Sequence, residues 1–331
     1  MIIVTGGAGF IGSAIVWRLN QLGNDDILIV DNLGTDEKWK NLVPLKFHDY
    51  MEKDEFLNLV MDNKLGTSLR SGKKKIEAII HMGACSSTTE QDATFLIRNN
   101  FEYTKRLAIA AAGEGTRFIY ASSAATYGVG SNGFDDNEKE IVRLRPLNMY
   151  GFSKQLFDQW ALRHGLLDKI LGVKYFNVFG PNEYHKGDMR SVVLKGFQQI
   201  VSSGKIKLFK SYRKEYGDGE QVRDFLYVKD AVDMTLFFLE KRTIGGLYNI
   251  GSGAANKWND LAAAIFKALG KSPDVEYVEM PETVREKYQY YTRADISKIG
   301  KAGFTKPLTS LDESVADYVK NYLATHKRLG E

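Results

Sequence analysis

A tyrosine and a lysine four positions apart, Tyr150 and Lys154, are the residues of this chain best suited to acid–base chemistry. On a helix such residues share a face, and an ammonium beside a phenol lowers the phenol's pKa from about 10. The phenolate could then take a proton from a sugar hydroxyl while hydride leaves the same carbon, and Lys154 could also bond a nicotinamide ribose. Upstream, Ser122 and Ser123 end a predicted strand, where a hydroxyl could hold the reacting oxygen.

Glycines near the start of the chain predict the site of a dinucleotide. Gly6, Gly9 and Gly12 follow a short apolar run and open a helical pattern. Glycines there permit a tight turn that brings the backbone close to a pyrophosphate, and the helix N-terminus supplies free N–H groups. The alternative is a glycine-rich turn without a ligand, which the order strand, glycines, helix and later acidic residue disfavours.

The choice between NAD and NADP depends on an acidic residue and two lysines. Asp31 ends the second predicted strand, about 20 residues beyond the glycines, where a carboxylate binds the adenosine ribose. That carboxylate favours NAD and repels the 2′-phosphate of NADP, whereas Lys38 and Lys53 would attract it. Both lysines could equally be surface charge, so the residues by themselves leave both nucleotides open.

Short apolar runs alternate with helical patterns over the first 180 residues, which predicts an α/β fold with a doubly wound parallel Rossmann sheet. The predicted strands are Ile2–Thr5, Ile27–Asp31, Ile76–Met82, Arg117–Ser122 and Val173–Val178, and the helices among them include Ile11–Leu22 and Tyr103–Ala112, with Gly113 ending the latter.

Beyond residue 180 the alternation loosens, and residues 187–219 are predicted to be rich in loops. The later strands are Arg223–Val228, Leu247–Ile250 and Val275–Val278, and the later helices are Ala231–Glu240, Lys257–Leu269 and Thr309–Leu323, the last with Thr309 and Asp312 as a capping box. We therefore predict an NADP-binding Rossmann domain over 1–170, completed by part of 225–255. A smaller α/β lobe over 171–331 would mainly bind the substrate, with the cleft between the two.

Composition excludes several classes of protein. The 331 residues include 45 Lys+Arg and 41 Asp+Glu, and 44% are hydrophobic, which is an ordinary globular mixture rather than a disordered one. The longest basic run, Lys73–Lys75, is too short to predict nucleic-acid binding. The sequence contains no run of about 18 apolar residues, so it predicts no membrane span. The single cysteine predicts no internal disulfide and a reducing, cytoplasmic location. The histidines lack the spacing of metal ligands, so no metal site is predicted.

Several motifs resemble those of the extended short-chain dehydrogenase/reductases, the nucleotide-sugar epimerases and dehydratases. They lie at 5–12, 121–128, 150–154, 175–181 and 223–228. Further runs at 31–33, 48–51, 83–90 and 185–187 resemble, more narrowly, the ADP-L-glycero-D-manno-heptose 6-epimerases. The run Gly-Ala-Cys-Ser-Ser-Thr-Thr-Glu at 83–90 is the most specific, and the resemblance extends over nearly the whole chain.

The resemblance implies an isomerase that inverts carbon 6 of an ADP-linked heptose for the lipopolysaccharide core. The sugar would be oxidised transiently to a ketone by tightly bound NADP, one per subunit, and hydride would return to the opposite face. Tyr150 and Lys186 match the family's acid–base pair, and Lys154 and Ser123 match the supporting residues. The resemblance favours NADP, with NAD as the alternative, and implies a homo-oligomer, a pentamer in the family.

The resemblance and the glycine pattern together assign positions to the cofactor and the substrate. The cofactor positions are Gly6, Gly9, Phe10, Ile11, Gly12, Asp31, Asn32, Lys38, Lys53, Met82, Gly83, Ala84, Cys85, Ser86, Asn99, Lys154 and Val178. The substrate positions are Asn177, Lys186, Asp188, Lys195, Phe209, Lys210, Ser211, Tyr212, Arg223 and Tyr288.

Some of these positions depart from the family pattern. Asp188 replaces a serine, Lys195 replaces a histidine, and the segment 209–212 replaces a Phe-Glu-Gly-Ser type of sequence, so contacts to the ADP or the sugar are expected to differ from those of the family. Arg223 suits a diphosphate because its fork matches phosphate oxygens, although a salt bridge with Asp224 is the alternative. Cys85 is predicted to be a packed residue rather than a nucleophile, since nothing nearby resembles its base.

Three other functions remain to be weighed. A UDP-hexose 4-epimerase would use the same scaffold but would not need Lys186, so that a Lys186→Ala variant with unimpaired turnover would favour it. A dehydratase normally has an acidic pair after the serine, whereas Ser123 is followed here by Ala124 and Ala125. A non-catalytic dinucleotide sensor could lose the catalytic pair, whereas Tyr150 and Lys154 are both present.

Overall fold

A seven-stranded parallel sheet lies at the centre of the computed structural model, which describes residues 1–62, 75–285 and 288–331. Its strands are β1 (Ile2–Thr5), β2 (Ile27–Asp31), β3 (Asp49–Glu52), β4 (Ala78–His81), β5 (Arg117–Ser123), β6 (Leu171–Tyr175) and β11 (Gly246–Ile250), in the order β11-β6-β5-β4-β1-β2-β3. Lys73 and Lys74 of the basic run lie outside the described residues.

Six shorter strands pair in twos beside this sheet. β7 (Asn177–Phe179) pairs with β10 (Phe225–Tyr227), β8 (Ile206–Phe209) with β13 (Val275–Val278), and β9 (Val222–Arg223) with β12 (Asn256–Lys257), the last pair being antiparallel.

The helices of the described residues cover both faces of the sheet. They are α1 (Phe10–Gln21), α2 (Lys53–Met61), α3 (Ala93–Leu96), α4 (Tyr103–Glu114), α5 (Met149–Arg163), α6 (Val192–Ser203), α7 (Val228–Glu240), α8 (Trp258–Leu269), α9 (Glu282–Arg285), α10 (Ser297–Lys301) and α11 (Leu311–Asp317). A π-type segment, Ile97–Glu102, joins α3 to α4, and another, Tyr318–Leu323, follows α11.

Strand β1 shows why the sheet is covered on both faces. Ile2 and Val4 pack into one hydrophobic cluster with residues of α1, whereas Ile3 packs into a second cluster on the other face. Alternate residues of a strand point to opposite faces, so an unbroken apolar run requires two covered faces. The predicted doubly wound fold is confirmed, and β1 and β2 have the predicted bounds.

The structure corrects two of the predicted strand and loop assignments. The single strand Val173–Val178 is in fact β6 and β7, because the Phe176 N–H donates to Ile250 and the chain then leaves the central sheet to pair with β10. Residues 187–219 are not mainly loop, since they contain α6 and β8. Strand β3 was not predicted because it is a half-exposed edge strand without an apolar run.

The structure also corrects two predicted helix ends. Gly115, rather than Gly113, ends α4 in a left-handed conformation. The capping box of α11 is Ser310 with Glu313, because the N–H and hydroxyl of Thr309 donate instead to the carboxylate of Asp230. In the described part of the chain, no helix is long and apolar enough to cross a membrane.

Candidate active site

Two adjoining cavities of about 350 and 320 Å³ lie at the carboxyl ends of the central strands, where open α/β sheets bind ligands. Every position that was predicted to bind the cofactor lines one or both of them: Gly6, Gly9, Phe10, Ile11, Gly12, Asp31, Asn32, Lys38, Lys53, Met82, Gly83, Ala84, Cys85, Ser86, Asn99, Lys154 and Val178. The cavity of about 350 Å³, lined by Asn32, Lys53 and Tyr103 among others, is named the adenosine cavity. The cavity of about 320 Å³, lined by Ser123, Tyr150 and Lys186 among others, is named the reaction cavity.

The glycine turn between the two cavities fits a pyrophosphate. A Cβ on Gly6 would lie 2.6 Å from the Gly83 nitrogen, and one on Gly12 would lie 2.0 Å from the Gly6 oxygen. Glycine is therefore required at both places. Gly9, the N-cap of α1, gives that helix no side-chain cap, and Phe10, Ile11 and Gly12 of its first turn line the reaction cavity. This places the start of the helix, with its free N–H groups, where an anion could bind.

Asp31 organises the adenosine cavity. One carboxylate oxygen accepts the Ala8 N–H at 2.9 Å, and the other accepts the Asn32 N–H at 2.7 Å and the Lys38 ammonium at 2.9 Å. Lys53 donates to the Asn99 side-chain oxygen at 2.9 Å. The carboxylate is therefore neutralised by one lysine, and a second lysine lies on the wall of the same cavity.

The four predicted catalytic residues all line the reaction cavity: Ser123, Tyr150, Lys154 and Lys186. Helix α5 presents Tyr150 and Lys154 from its first turns, where the Asn148 side chain caps it by accepting the Gly151 N–H at 2.8 Å. Lys154 is buried and donates to the Ala121 carbonyl at 2.7 Å. Burial lowers the pKa of Lys154 to about 8, against the opposing charge of Asp158.

The protonation of Tyr150 differs from the sequence expectation. Burial raises the pKa of the phenol, and a hydrogen bond with Ser123 only partly opposes this. The ammonium of Lys154 is engaged by the Ala121 carbonyl. The phenol therefore keeps its proton at neutral pH in this arrangement, and Ser123 is the side chain that favours its ionisation.

Lys186 reaches the reaction cavity from the helical turn Tyr184–Met189. Its ammonium lies 5.1 Å from the centre of the Phe10 ring, and burial lowers the pKa of Lys186 while Glu183 opposes the shift. The buried Asn41 side chain holds this turn to the glycine loop by donating to the carbonyls of Ala8 and Asn182, both at 3.0 Å. No local sequence signal identified Asn41.

The predicted substrate positions other than Lys186 lie away from the walls of these two cavities. Arg223 is buried, with its guanidinium carbon 4.9 Å from the Tyr288 ring and 5.6 Å from the Trp258 ring. Among the described residues it has no acidic partner, because Asp224 accepts instead from Ser252 and neighbouring backbone N–H groups. The salt bridge considered for Arg223 is thus absent from this part of the structure.

The remaining substrate positions divide into two places. Lys195 donates to the Asp188 carbonyl beside the Lys186 turn. The others lie in the region of Tyr288 and Arg223. Phe209 packs edge to face against Tyr288, and the Asn177 N–H donates to the Asp224 carbonyl. Lys210 pairs with Glu279 at 2.7 Å, the Ser211 N–H donates to the Asp218 side chain, and the Tyr212 ring lies 3.6 Å from the Arg285 guanidinium.

Cys85 borders the adenosine cavity, and its N–H donates to the Asn100 side chain at 2.9 Å. Among the described residues, no three His, Cys, Asp or Glu side chains are grouped to hold a metal ion. The residues that sequence reasoning missed include Phe95 and Tyr103 in the adenosine cavity and His185 in the reaction cavity. Phe95 and Tyr103 belong to no motif.

A Rossmann sheet with a glycine turn, a carboxylate at the end of β2 and a Tyr-x-x-x-Lys pair at one cavity defines an extended short-chain dehydrogenase/reductase. The chain belongs to the NAD dependent epimerase/dehydratase family, whose model matches residues 2–251. That match confirms a nicotinamide dinucleotide as the cofactor class of the family.

Curated relatives confirm the narrower resemblance. A protein of Nitratidesulfovibrio vulgaris named ADP-L-glycero-D-manno-heptose-6-epimerase is 51% identical over 98% of both chains. One of the same name from Fusobacterium nucleatum is 48% identical, again over 98% of both chains. The crystal structure of the Helicobacter pylori ADP-L-glycero-D-manno-heptose-6-epimerase has a TM-score of 0.81 and 27% identity, covering 98% of this chain and 96% of that one.

Proposed function

We propose that this chain is an epimerase that interconverts ADP-D-glycero-D-manno-heptose and ADP-L-glycero-D-manno-heptose at carbon 6, for the lipopolysaccharide core. The observation that carries the proposal is that Tyr150 and Lys186 line one cavity while coming from separate parts of the chain. Inversion by oxidation and re-reduction needs a proton donor or acceptor for each epimer, and two such groups at one cavity meet that need. The names of the relatives support the heptose as the sugar.

The roles of the side chains follow from their surroundings. A bound nicotinamide dinucleotide would supply the hydride acceptor and donor. Ser123 lowers the pKa of the Tyr150 phenol against the effect of burial, so the phenol can exchange a proton with the sugar hydroxyl of one epimer. The buried amine of Lys186, with its lowered pKa, exchanges the proton for the other epimer. Lys154, whose pKa burial lowers to about 8, would hold the nicotinamide ribose.

The assay for this function is incubation with ADP-D-glycero-β-D-manno-heptose, without added reductant, followed by anion-exchange separation of the nucleotide sugars. Conversion to the L-glycero epimer supports both the substrate and the redox-neutral chemistry. An unchanged sugar in the presence of bound cofactor would contradict the proposal, and UDP- and GDP-hexoses would then be tested. A UDP-hexose 4-epimerase is the alternative that such a result would favour.

We also infer that the cofactor is NADP, because Lys38 neutralises Asp31 and Lys53 lies on the same cavity wall. Replacing Lys38 by alanine leaves the Asp31 carboxylate without its cation, so it should repel a 2′-phosphate. We expect the NADP affinity to fall by about 10- to 100-fold, the worth of a charge-assisted hydrogen bond, with little change for NAD. Equilibrium dialysis with each nucleotide measures this.

Lys40→Ala is the matched control for that variant. Lys40 lies in the same helical turn but pairs with Glu37 and is absent from the walls of both cavities. Its replacement should leave both affinities unchanged. If Lys38→Ala lowered the affinities for NAD and NADP equally, Lys38 would shape the cavity without contributing to recognition of the 2′-phosphate.

We propose that Arg223 binds the diphosphate of the substrate, because it is a buried cation between two aromatic rings without an acidic partner among the described residues. Lysine lacks the planar fork that matches phosphate oxygens and stacks on rings. Arg223→Lys should therefore raise the KM for the ADP-sugar by about 10-fold while kcat changes little. Steady-state kinetics at saturating cofactor test this, and a loss confined to kcat would contradict the assignment.

The wider expectations remain proposals of the same kind. We propose that residues 1–170, completed by part of 225–255, form the NADP-binding Rossmann domain, and that residues 171–331 mainly form the substrate-binding lobe. We further propose a cytoplasmic homo-oligomer, a pentamer by family resemblance, whose partner is the small-molecule ADP-sugar. We propose neither a nucleic acid nor a membrane as a partner.

A further inference from the structure

A fully buried ion pair lies beneath the catalytic residues. Asp158 of α5 and Lys174 of β6 are 0% and 1% exposed, and their charged atoms are 2.7 Å apart. Removing two charges from water is costly unless further hydrogen bonds satisfy them. Here the second carboxylate oxygen accepts the Tyr120 hydroxyl at 2.9 Å, so the pair is well satisfied.

The ion pair contacts the chain on both sides of Ser123. Asp158 accepts the Ser122 hydroxyl at 2.7 Å, immediately before Ser123. Lys174 donates to the Thr126 hydroxyl at 2.8 Å, and that hydroxyl donates to the Ser123 carbonyl, also at 2.8 Å. The end of β5 and the turn after it are thus both anchored to the pair.

The pair also acts on Lys154. Asp158 follows Lys154 by four residues on α5, so both side chains leave the same face of the helix. Lys154 donates to the carbonyl of Ala121 on the strand that Asp158 anchors. The Asp158 charge favours the protonated form of Lys154, against burial, which lowers its pKa.

We propose that Asp158 and Lys174 are positioning residues of the active site, which hold Ser123 in place and keep Lys154 charged. Neither side chain lines the reaction cavity, so they act through their neighbours. This inference rests on the function proposed above for the roles of Ser123 and Lys154. Similar volume could be packed with apolar side chains at no loss of stability, so fold stability alone does not require an ion pair here.

Other titratable groups face Asp158, Lys174 or Lys154 from the surrounding elements. They are Tyr120 on β5, Tyr127 on the turn after it, Tyr150 on α5, His81 on β4 and Cys85 just beyond β4. Burial raises the pKa of the tyrosines and lowers that of His81 to about 3. The three tyrosines and His81 are therefore uncharged at neutral pH, and Asp158 is the carboxylate that acts on Lys154.

The test is Asp158→Asn, which keeps the shape and removes the charge. Without that charge Lys154 should lose its proton at lower pH, so the alkaline limb of the kcat profile should move down by about one pH unit. The pH dependence of NADP affinity, followed by equilibrium dialysis, should move equally because Lys154 holds the ribose. Turnover at pH 7 should fall by about 10-fold or more.

Asp158→Asn leaves Lys174 buried without a counter-ion and could unfold the chain. The double variant Asp158→Asn/Lys174→Met removes both charges and should fold, yet turnover should stay about 10-fold below that of the unchanged protein, because Ser122 and Thr126 lose their charged anchors. A double variant with full turnover would overturn the proposal.

Asp317→Asn is the matched control, because Asp317 likewise accepts from a tyrosine and a lysine, Tyr227 and Lys229. It should leave both pH profiles unchanged. If Asp158→Asn also leaves both profiles unchanged and only lowers stability, the pair is merely structural and the proposal is wrong. If the unaltered protein does not convert ADP-heptose, the proposed function fails, whereas the NADP affinity profile still decides the role of the pair.

Discussion

Replacing Tyr150 by phenylalanine is expected to lower the turnover of ADP-heptose by at least about 10²-fold, the usual contribution of a positioned acid or base. The change removes the phenol hydroxyl from the reaction cavity and keeps the ring. Binding of the dinucleotide should persist, since the glycine turn and Asp31 are untouched. Initial rates from the chromatographic assay, at saturating cofactor, provide the measurement.

Tyr175→Phe is the matched control for this experiment. Tyr175 also lines the reaction cavity, but its hydroxyl is bonded to the Thr235 hydroxyl at 2.7 Å. Its loss should cost some stability and change turnover only a few-fold. If Tyr150→Phe kept turnover within about threefold of the unaltered enzyme, Tyr150 would have to be removed from the acid–base role.

The glycine turn and the Tyr150–Lys154 pair were predictable because each belongs to a short motif whose backbone geometry is locally determined. Gly12 is required by its close approach to Gly6 within the motif, and Tyr150 and Lys154 share a face on any helix. The structure then places all four predicted catalytic residues at one cavity. Sequence patterns were sufficient to predict a site residue wherever the segment that contains the residue also determines its position.

The unpredicted parts of the site depend on contacts between distant segments. Asn41 bridges the glycine loop and Asn182, and Lys174 of strand β6 meets Asp158 of helix α5. Neither residue has a spacing or a neighbour that distinguishes it from an ordinary polar residue. The sequence predicted that Lys154 lowers the pKa of the Tyr150 phenol. It could not show that burial raises this pKa, because burial is a property of the assembled fold.

The proposed second acid–base group has two neighbouring candidates, since His185 and Lys186 both line the reaction cavity. Burial lowers the pKa of His185 to about 4, and its ring lies 3.4 Å from the Asn41 side chain. A histidine that is neutral and engaged in this way is poorly suited to deliver a proton at neutral pH. Lys186, whose pKa burial also lowers, can exchange a proton nearer neutrality.

Lys186→Met is therefore expected to lower turnover by about 10²-fold or more, whereas His185→Gln should lower it only a few-fold. Lys186→Arg separates charge from proton transfer, because a guanidinium remains protonated in proteins. If Lys186 exchanges a proton, the arginine variant should be about as slow as the methionine variant. If it only stabilises charge, arginine should restore most of the rate, and Lys186 would then be an electrostatic residue, with the second proton carried by another group.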